Sequence, residues 1–433
     1  MHYWRFHLAS ILLTCIDNMY DAFYNLFGKL ITRIATIIVT AMAILALAGS
    51  TWAASNSATT DSTFERTHAL DDPDNRISDE FKIPKKLKDR TAFWFDVYTQ
   101  YGSNQHVIHH TLYPWIVYRV VDTEPILSRP GNRWTKHHKA VRFVKDETRN
   151  VRNILKKLSG LKSYKNLTPE ENAIYTALSS IPGKRSRVFK TAAYNMRVQL
   201  GQKDFFMSGL NESKKYLPII EGFFQEQGLP TELTRLPFVE SSFNVKAESK
   251  VGASGIWQIM PSTGKQHLIV SQNIDERNSP LKASQAAAQI FKKNYRSLKQ
   301  WPLAVTAYNH GAAGIKRALK LSQTTNLPDL VERYHRGSFK FASANFYTSF
   351  LAALYAEKYH HEIYDSSIHK NVAPINHQIV KLKRSTKVRQ VLQKTGLSDA
   401  ELLNYNLDLK SAIKNNALLP RGYRVIVPLK TSS

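Results

Sequence analysis

Residues 230–264 constrain this chain more than any other stretch. A largely apolar run, Leu233 to Val239, should form a buried helix and ends directly in Glu240. A turn of small residues comes next, Gly252-Ala253-Ser254-Gly255, and then a mostly apolar segment with one amide, Ile256-Trp257-Gln258-Ile259-Met260. A carboxyl at the end of a buried helix is costly to ionise, so its pKa is expected to rise. A raised pKa is what a general acid requires at neutral pH. Glu232, Glu248, Asp275 and Glu276 are near in sequence, but their settings read as exposed or loop-like, which leaves Glu240 as the candidate catalytic carboxylate.

The chain has 433 residues, 43% of them hydrophobic, enough for two or three domains with a sizeable core. Its net charge of +26 calls for an anionic partner. Nucleic acid is opposed by the N-terminus. Residues 34–48 are an apolar run preceded by Lys29 and Arg33, with Thr51 and Ala53 spaced as at a signal-peptidase site, so residues 1–53 read as a secretory signal peptide. The single cysteine, Cys15, falls inside it, so the chain beyond residue 53 is not disulfide-stapled. Export to the periplasm or cell envelope, or secretion, is therefore expected. So is an encounter with cell-wall polymers or an anionic membrane surface. No nucleic-acid recognition motif is present.

Taken in order, residues 54–80 read as a flexible linker rich in Ser, Thr and Asp, and 83–90 as a basic, solvated run. Residues 93–101 and 115–121 are aromatic and β-branched around a Gly102-Ser103-Asn104 turn and predict strands. His106, His109 and His110 have no carboxylate or cysteine with them, and strand alternation places His109 and His110 on opposite faces, so no metal site is predicted. No cofactor is predicted either. A helix is expected over 135–158, and Thr168-Pro169-Glu170-Glu171 is a helix start with a reciprocal cap. Helices then continue to about residue 228, with Leu217, Ile220, Phe223 and Phe224 forming a core stripe. In the tail, residues 375–382 and 424–428 read as strands enclosing helices at 388–394 and 399–406.

Three pieces together resemble the lytic transglycosylases of the goose-lysozyme-like superfamily, of the soluble and membrane-bound D types. They are Glu240-Ser241, Gly255-Ile256-Trp257-Gln258-Ile259-Met260-Pro261 and Ala307-Tyr308-Asn309-His310-Gly311, and the resemblance covers roughly residues 190–360. It implies a mainly α chain with a lysozyme-like helical catalytic domain over 191–365. A small mixed α/β accessory region over 81–190 precedes it, and a small βααβ module over 374–430 resembles a divergent LysM glycan-binding unit.

The activity implied is cleavage of the bond between N-acetylmuramic acid and N-acetylglucosamine in peptidoglycan glycan strands. Glu240 protonates the departing oxygen. It then takes the proton from the muramic C6 hydroxyl, which closes onto C1 as a 1,6-anhydro ring. Ser249, Gln258 and Met260 are implied to line the groove, with Gly252 and Gly255 letting a sugar approach the main chain. Tyr308 is implied to orient the acid, and Asn309 joins the candidate substrate-binding set. Trp257 is either a sugar platform or core. Two departures stand out. Many relatives carry a glutamate four residues before the late-helix tyrosine, where this chain has Ser343 ahead of Tyr347, and His310 replaces a small residue and is expected to face solvent. The alternatives are a muramidase that uses water and a wall-binding protein that does not cut.

Overall fold

A computed structural model describes residues 66–364 and 371–429, and the expected signal peptide lies outside them. The described chain is mainly helical, with short antiparallel sheets. Among the described residues no helix is long and apolar enough to cross a membrane, and no group of side chains is placed to hold a metal ion.

The expected linker is structured from Arg66 onward. Helix α1 (Arg66–Asp71) buries Ala69 and Leu70, and the turns after it bury Ile77 and Phe81. Asp72 fixes this segment: its carboxylate accepts from the Arg76 and Ile77 amides (2.9 and 3.1 Å), Lys82 Nζ (2.6 Å) and Tyr359 Oη (2.7 Å). Burial alone would raise its pKa, but those four donors outweigh it and hold the carboxyl below its ordinary value. The basic run is not simply a solvated face, because it buries Leu87 and Arg90, and Lys86 bonds to Asp329 and Glu332.

Helix α2 (Lys88–Thr99) replaces the strand expected over 93–101. Phe93, Trp94, Val97 and Tyr98 recur at i, i+1, i+4 and i+5 and are buried together. Aromatic enrichment favours strands only through packing on neighbours, and here the neighbour is a helix. The sheet begins after the Gly102-Ser103-Asn104 turn: β1 (Gln105–His110) is central, flanked by β2 (Val117–Asp122) and β3 (Met196–Leu200), all antiparallel. The β1–β2 pairing shifts between Ile108 and His109, with Tyr118 the extra residue on β2, while β1 pairs with β3 without interruption; His109 and His110 are both buried. β3 interrupts the run of helices expected up to residue 228, pairing with β1 after a turn at Asn195.

Helix α3 (Arg133–Gly160) is capped by Asn132 and lays Ala140, Val144, Val151, Leu155 and Leu158 along one face. Helix α4 (Pro169–Ala177) carries the predicted Thr168/Glu171 capping box, and α5 (Arg185–Tyr194) completes this cluster through Phe189.

The helices that carry the site are α6 (Lys203–Ser213), α7 (Leu217–Glu226), α8 (Leu236–Ser241), α9 (Pro280–Leu298), α10 (Trp301–His310), α11 (Ala312–Ser322), α12 (Leu327–Arg333) and α13 (Phe341–Lys358). Leu217, Ile220 and Phe224 of α7 are core as expected, with Phe223 half-buried. The tail pairs β4 (His377–Lys381) with β5 (Arg424–Pro428) around α14 (Val388–Thr395) and α15 (Asp399–Tyr405). A further short helix, Lys410–Lys414, and a two-residue strand pair join them.

Candidate active site

Helix α8 is only six residues long, and its position is set from both ends. At its start, Arg235 is 3% exposed and bonds through Nε to Glu357 (2.9 Å) and through Nη1 to Glu221. At its end, Ser242 and Phe243 take left-handed backbone angles, φ 50° and 54°. A non-glycine residue there is held by its surroundings against an intrinsic cost. Phe243 is buried against Phe238, with ring centroids 4.7 Å apart. Gly209 of α6 lies under this turn, where an added Cβ would stand 2.5 Å from the Ser242 carbonyl oxygen. Glu240 is therefore presented from a rigid corner, half-buried, with Oε1 shut off from solvent. Tyr98 of α2 feels its charge. Burial is the main cause of the raised Tyr98 pKa, its hydrogen bond with Ser349 works the other way, and Glu240 adds to the rise.

The motifs are stitched together by main-chain carbonyls. Ser241 Oγ donates to the Ile256 carbonyl (2.9 Å), and Tyr308 Oη donates to the next one, Trp257 (2.9 Å). Glu240-Ser241, the 255–261 segment and α10 thus meet at two successive peptide groups. Trp257 itself is core: it is fully buried, donates Nε1–H to Ser284 Oγ (2.7 Å) and stacks on Phe224. Gln258 sits at φ 46° and donates its amide to the carbonyls of Gly255 (2.9 Å) and Ala247 (3.1 Å). Its donors hold the loop, so what remains for a sugar is its acceptor oxygen. Ser249 Oγ accepts from the Ala253 amide (2.8 Å), and Ser249 and Met260 are both half-buried.

Gly255 serves a different purpose from the one expected. An added Cβ would lie 1.9 Å from the Arg277 carbonyl oxygen, so it is the chain's own backbone that approaches there, not a sugar. Arg277 is the residue that sequence reasoning missed. It is 7% exposed, donates Nη1 to the carbonyls of Gly252 (2.6 Å) and Ile259 (3.0 Å), and is held by Asp275 through Nε and Nη2 (2.9 and 2.6 Å). Asp275 and Glu276 are accordingly not loose. Glu276 is buried, accepts from the Ile269 amide (2.8 Å) and lies 3.4 Å from Lys282 Nζ. An Asp preceding an Arg two positions on was the available signal, but the target of the guanidinium is main chain and leaves no trace in sequence.

Asn309 is half-buried at the end of α10. Its Oδ1 accepts from Ser343 Oγ (3.3 Å), while Nδ2 is enclosed with no hydrogen-bond partner among the described residues. His310 is not solvent-exposed as expected. Its Nδ1 is 2.9 Å from Ser343 Oγ, its ring packs edge-on against Phe339, and burial, then Arg317, lowers its pKa. The hydroxyl of Ser343 thus joins Asn309 and His310. Tyr347, one turn on, is buried with its hydroxyl unsatisfied among the described residues.

Residues 219–328, which hold Glu240 and all the candidate binding residues, match the family described as Transglycosylase SLT domain. Over these residues the chain is similar to a transglycosylase SLT domain. Over 126 residues it is 32% identical to the membrane-bound lytic murein transglycosylase D of Escherichia coli (strain K12), covering 29% of this chain and 28% of that protein. It is 30% identical over 109 residues to a putative tributyltin chloride resistance protein of Alteromonas sp. (strain M-1), covering 25% of this chain and 53% of that one. The aligned part thus spans between about a quarter and about half of these relatives. The crystal structure of the 70 kDa soluble lytic transglycosylase of Escherichia coli superposes with TM-score 0.30 at 13% identity, over 69% of this chain and 56% of that one. The SLT match leaves out α1 to α6, the three-stranded sheet, α13 and the tail.

Proposed function

We propose that the protein is an exported peptidoglycan lytic transglycosylase. It cleaves the β-1,4 bond between N-acetylmuramic acid and N-acetylglucosamine and leaves a 1,6-anhydromuramic end. The observation that carries this reading is Glu240: one half-buried carboxylate on a rigid corner of an SLT domain, locked through Ser241 to the loop that bears the other motif residues. Two-carboxylate glycosidases need a second acid across the bond. The other acids near in sequence are engaged or outward: Asp275 holds Arg277, Glu276 meets Lys282, and Glu248 is exposed. One carboxylate suffices when the substrate supplies the nucleophile.

In this mechanism Glu240 begins protonated and gives its proton to the departing N-acetylglucosamine O4. The C1–O4 bond breaks and an oxocarbenium-like muramic centre develops. Glu240, now a carboxylate, takes the proton from the C6 hydroxyl as that oxygen bonds to C1. The group ends in the state in which it began, and no water is consumed. Ser249, Gln258 Oε1, Met260 and the enclosed Nδ2 of Asn309 are the proposed sugar contacts, and Tyr308 acts by fixing the Trp257 peptide. The tail, with Ile379, Val380 and Leu418 exposed, is the proposed glycan-holding module.

The test is a pair of measurements on Glu240→Gln: cleavage of purified glycan strands and their retention by the protein. Loss of cleavage with retained binding supports the assignment. Undiminished cleavage ends it.

A further inference from the structure

Arg197 lies on β3, the edge strand of the sheet, directly opposite His109 of β1. Its guanidinium sits 4.2 Å above the centroid of the Phe341 ring at the start of α13. It is half-buried, and among the described residues it has neither a hydrogen-bond acceptor nor a carboxylate. Burial lowers its pKa. The surroundings add more positive potential. Arg90, 6% exposed, donates among the described residues only to neutral acceptors, Asn345 Oδ1 (2.9 Å) and the Leu112 carbonyl (2.7 Å). The electrostatics of His109 register both guanidiniums, and its Nε2 is enclosed without a hydrogen-bond partner among the described residues. Helix α13, 18 residues long, begins here with no side-chain cap on its N–H groups.

A cation withdrawn from water with no countercharge is unfavourable, and native structures rarely keep one without a use. With an aromatic ring beneath it, a guanidinium keeps its N–H edge for a planar, doubly accepting anion, and a carboxylate fits that edge. The place matters too. Phe341 also packs 6.2 Å from Trp94, while Ser343, two residues on, contacts Asn309. The first turn of α13 thus carries both Phe341, which meets Arg197 and Trp94 of the N-terminal region, and Ser343, which meets the proposed sugar contact Asn309.

We propose that Arg197, over Phe341 and with Arg90 nearby, binds a free carboxylate of the peptide branches carried by the glycan strand. This subsite is contributed by residues outside the SLT match. The inference rests on the peptidoglycan reading above. It makes the N-terminal region a reader of the peptide branch rather than a spacer.

The test compares glycan strands that keep their peptide branches with strands stripped of them enzymatically. Arg197→Gln, Arg197→Lys and the exposed control Lys190→Gln are measured on both. For Arg197→Gln the ratio of kcat/KM on branched over stripped strands should fall about tenfold, mainly through KM, as expected when a charge-assisted pair is lost. Arg197→Lys, a point charge without the fork, should fall less, and the control should hold the wild-type ratio. In parallel, the Glu240→Gln protein is titrated with the free branch peptide, with and without Arg197→Gln, and with inorganic phosphate as competitor. Weakening of about tenfold is expected, with phosphate a poor competitor. An unchanged ratio, or equal losses on both strands, overturns the proposal. So does phosphate competing as well as the peptide, which would mark a general anion site. If the wild type cuts neither strand, the lytic reading fails instead, and the peptide titration still decides whether Arg197 binds a carboxylate.

Discussion

Lys282 of α9 and Asp408 of the tail form an ion pair at 2.7 Å, 126 residues apart in sequence and 3% and 0% exposed in their side chains. Tyr423 Oη lies 2.7 Å from the same ammonium and donates to the same carboxylate, and the Asp408 carbonyl accepts from the Asp275 amide (3.1 Å). The tail is thus packed onto the turn that carries Arg277, with Ile274 buried in the tail's own core. Removing one partner of a buried pair strands the other charge and typically costs about 3–5 kcal/mol. Asp408→Asn leaves Lys282 with Glu276 at 3.4 Å, so the unfolding free energy measured in urea should fall by about the lower end of that range, and tail and SLT domain should still unfold in one transition. Two separated transitions in the wild type would show that the tail is an independent unit.

Gly209 and Ser242 make the corner beneath Glu240. Gly209→Ala puts a methyl 2.5 Å from the Ser242 carbonyl oxygen, so α8 must shift. Overpacking of this kind costs about 1–3 kcal/mol. The predicted outcome is a lower Tm together with a kcat drop of at least about tenfold, since a shift of about 1 Å in a catalytic group is enough for that.

Ser241→Ala removes the bond to the Ile256 carbonyl while leaving the side chain's bulk nearly unchanged. About 1 kcal/mol of stability should be lost. Because the bond joins α8 to the motif loop, kcat should fall more than KM rises, and steady-state kinetics on glycan strands separate the two. Tyr308→Phe, which frees the adjacent Trp257 carbonyl, should do the same, and an unaltered kcat in both variants would remove these links from the account.

His109 and His110 give a pH prediction. Burial pushes their pKa values from 6.5 down to about 3 and about 4; for His109 the hydrogen bond with the His110 carbonyl works the other way, and the nearby Arg197, His110 and Arg90 add to the fall. Both are neutral in the folded state and take up protons on unfolding, so the unfolded chain binds more protons below about pH 6.5. Their contribution is fully present above that value. It is lost as pH falls toward the folded values, at up to about 1.4 kcal/mol per pH unit for each group. Stability measured by urea unfolding from about pH 7 to about pH 5 should decline, and His109→Phe should flatten the slope.

The fold was legible where side-chain type and local spacing suffice. The Thr168/Glu171 cap, the core residues of α7, the strand pair of the tail and the apolar run that places Glu240 at a helix end all rest on these. What could not be read depends on partners remote in sequence. The aromatic segment 93–101 is helical because α13 covers it, β3 forms because β1 offers an edge, and Arg277 acts on carbonyls that carry no sequence signature. Gln258 and Gly255 lie in the loop that Ser241 ties to α8, and their contacts to the chain's own carbonyls, which carry no sequence signature, take up much of what a sugar would meet.

In the proposed reaction the substrate's own C6 oxygen, rather than water, attacks C1 after Glu240 has protonated the bond. Digestion of purified sacculi in oxygen-18 water by the protein lacking residues 1–53, with mass analysis of the released fragments, tests this directly. The predicted products are anhydromuramic ends with no heavy oxygen, absent with Glu240→Gln. Reducing muramic ends carrying one oxygen-18, or the same products from the Glu240→Gln variant, would contradict it.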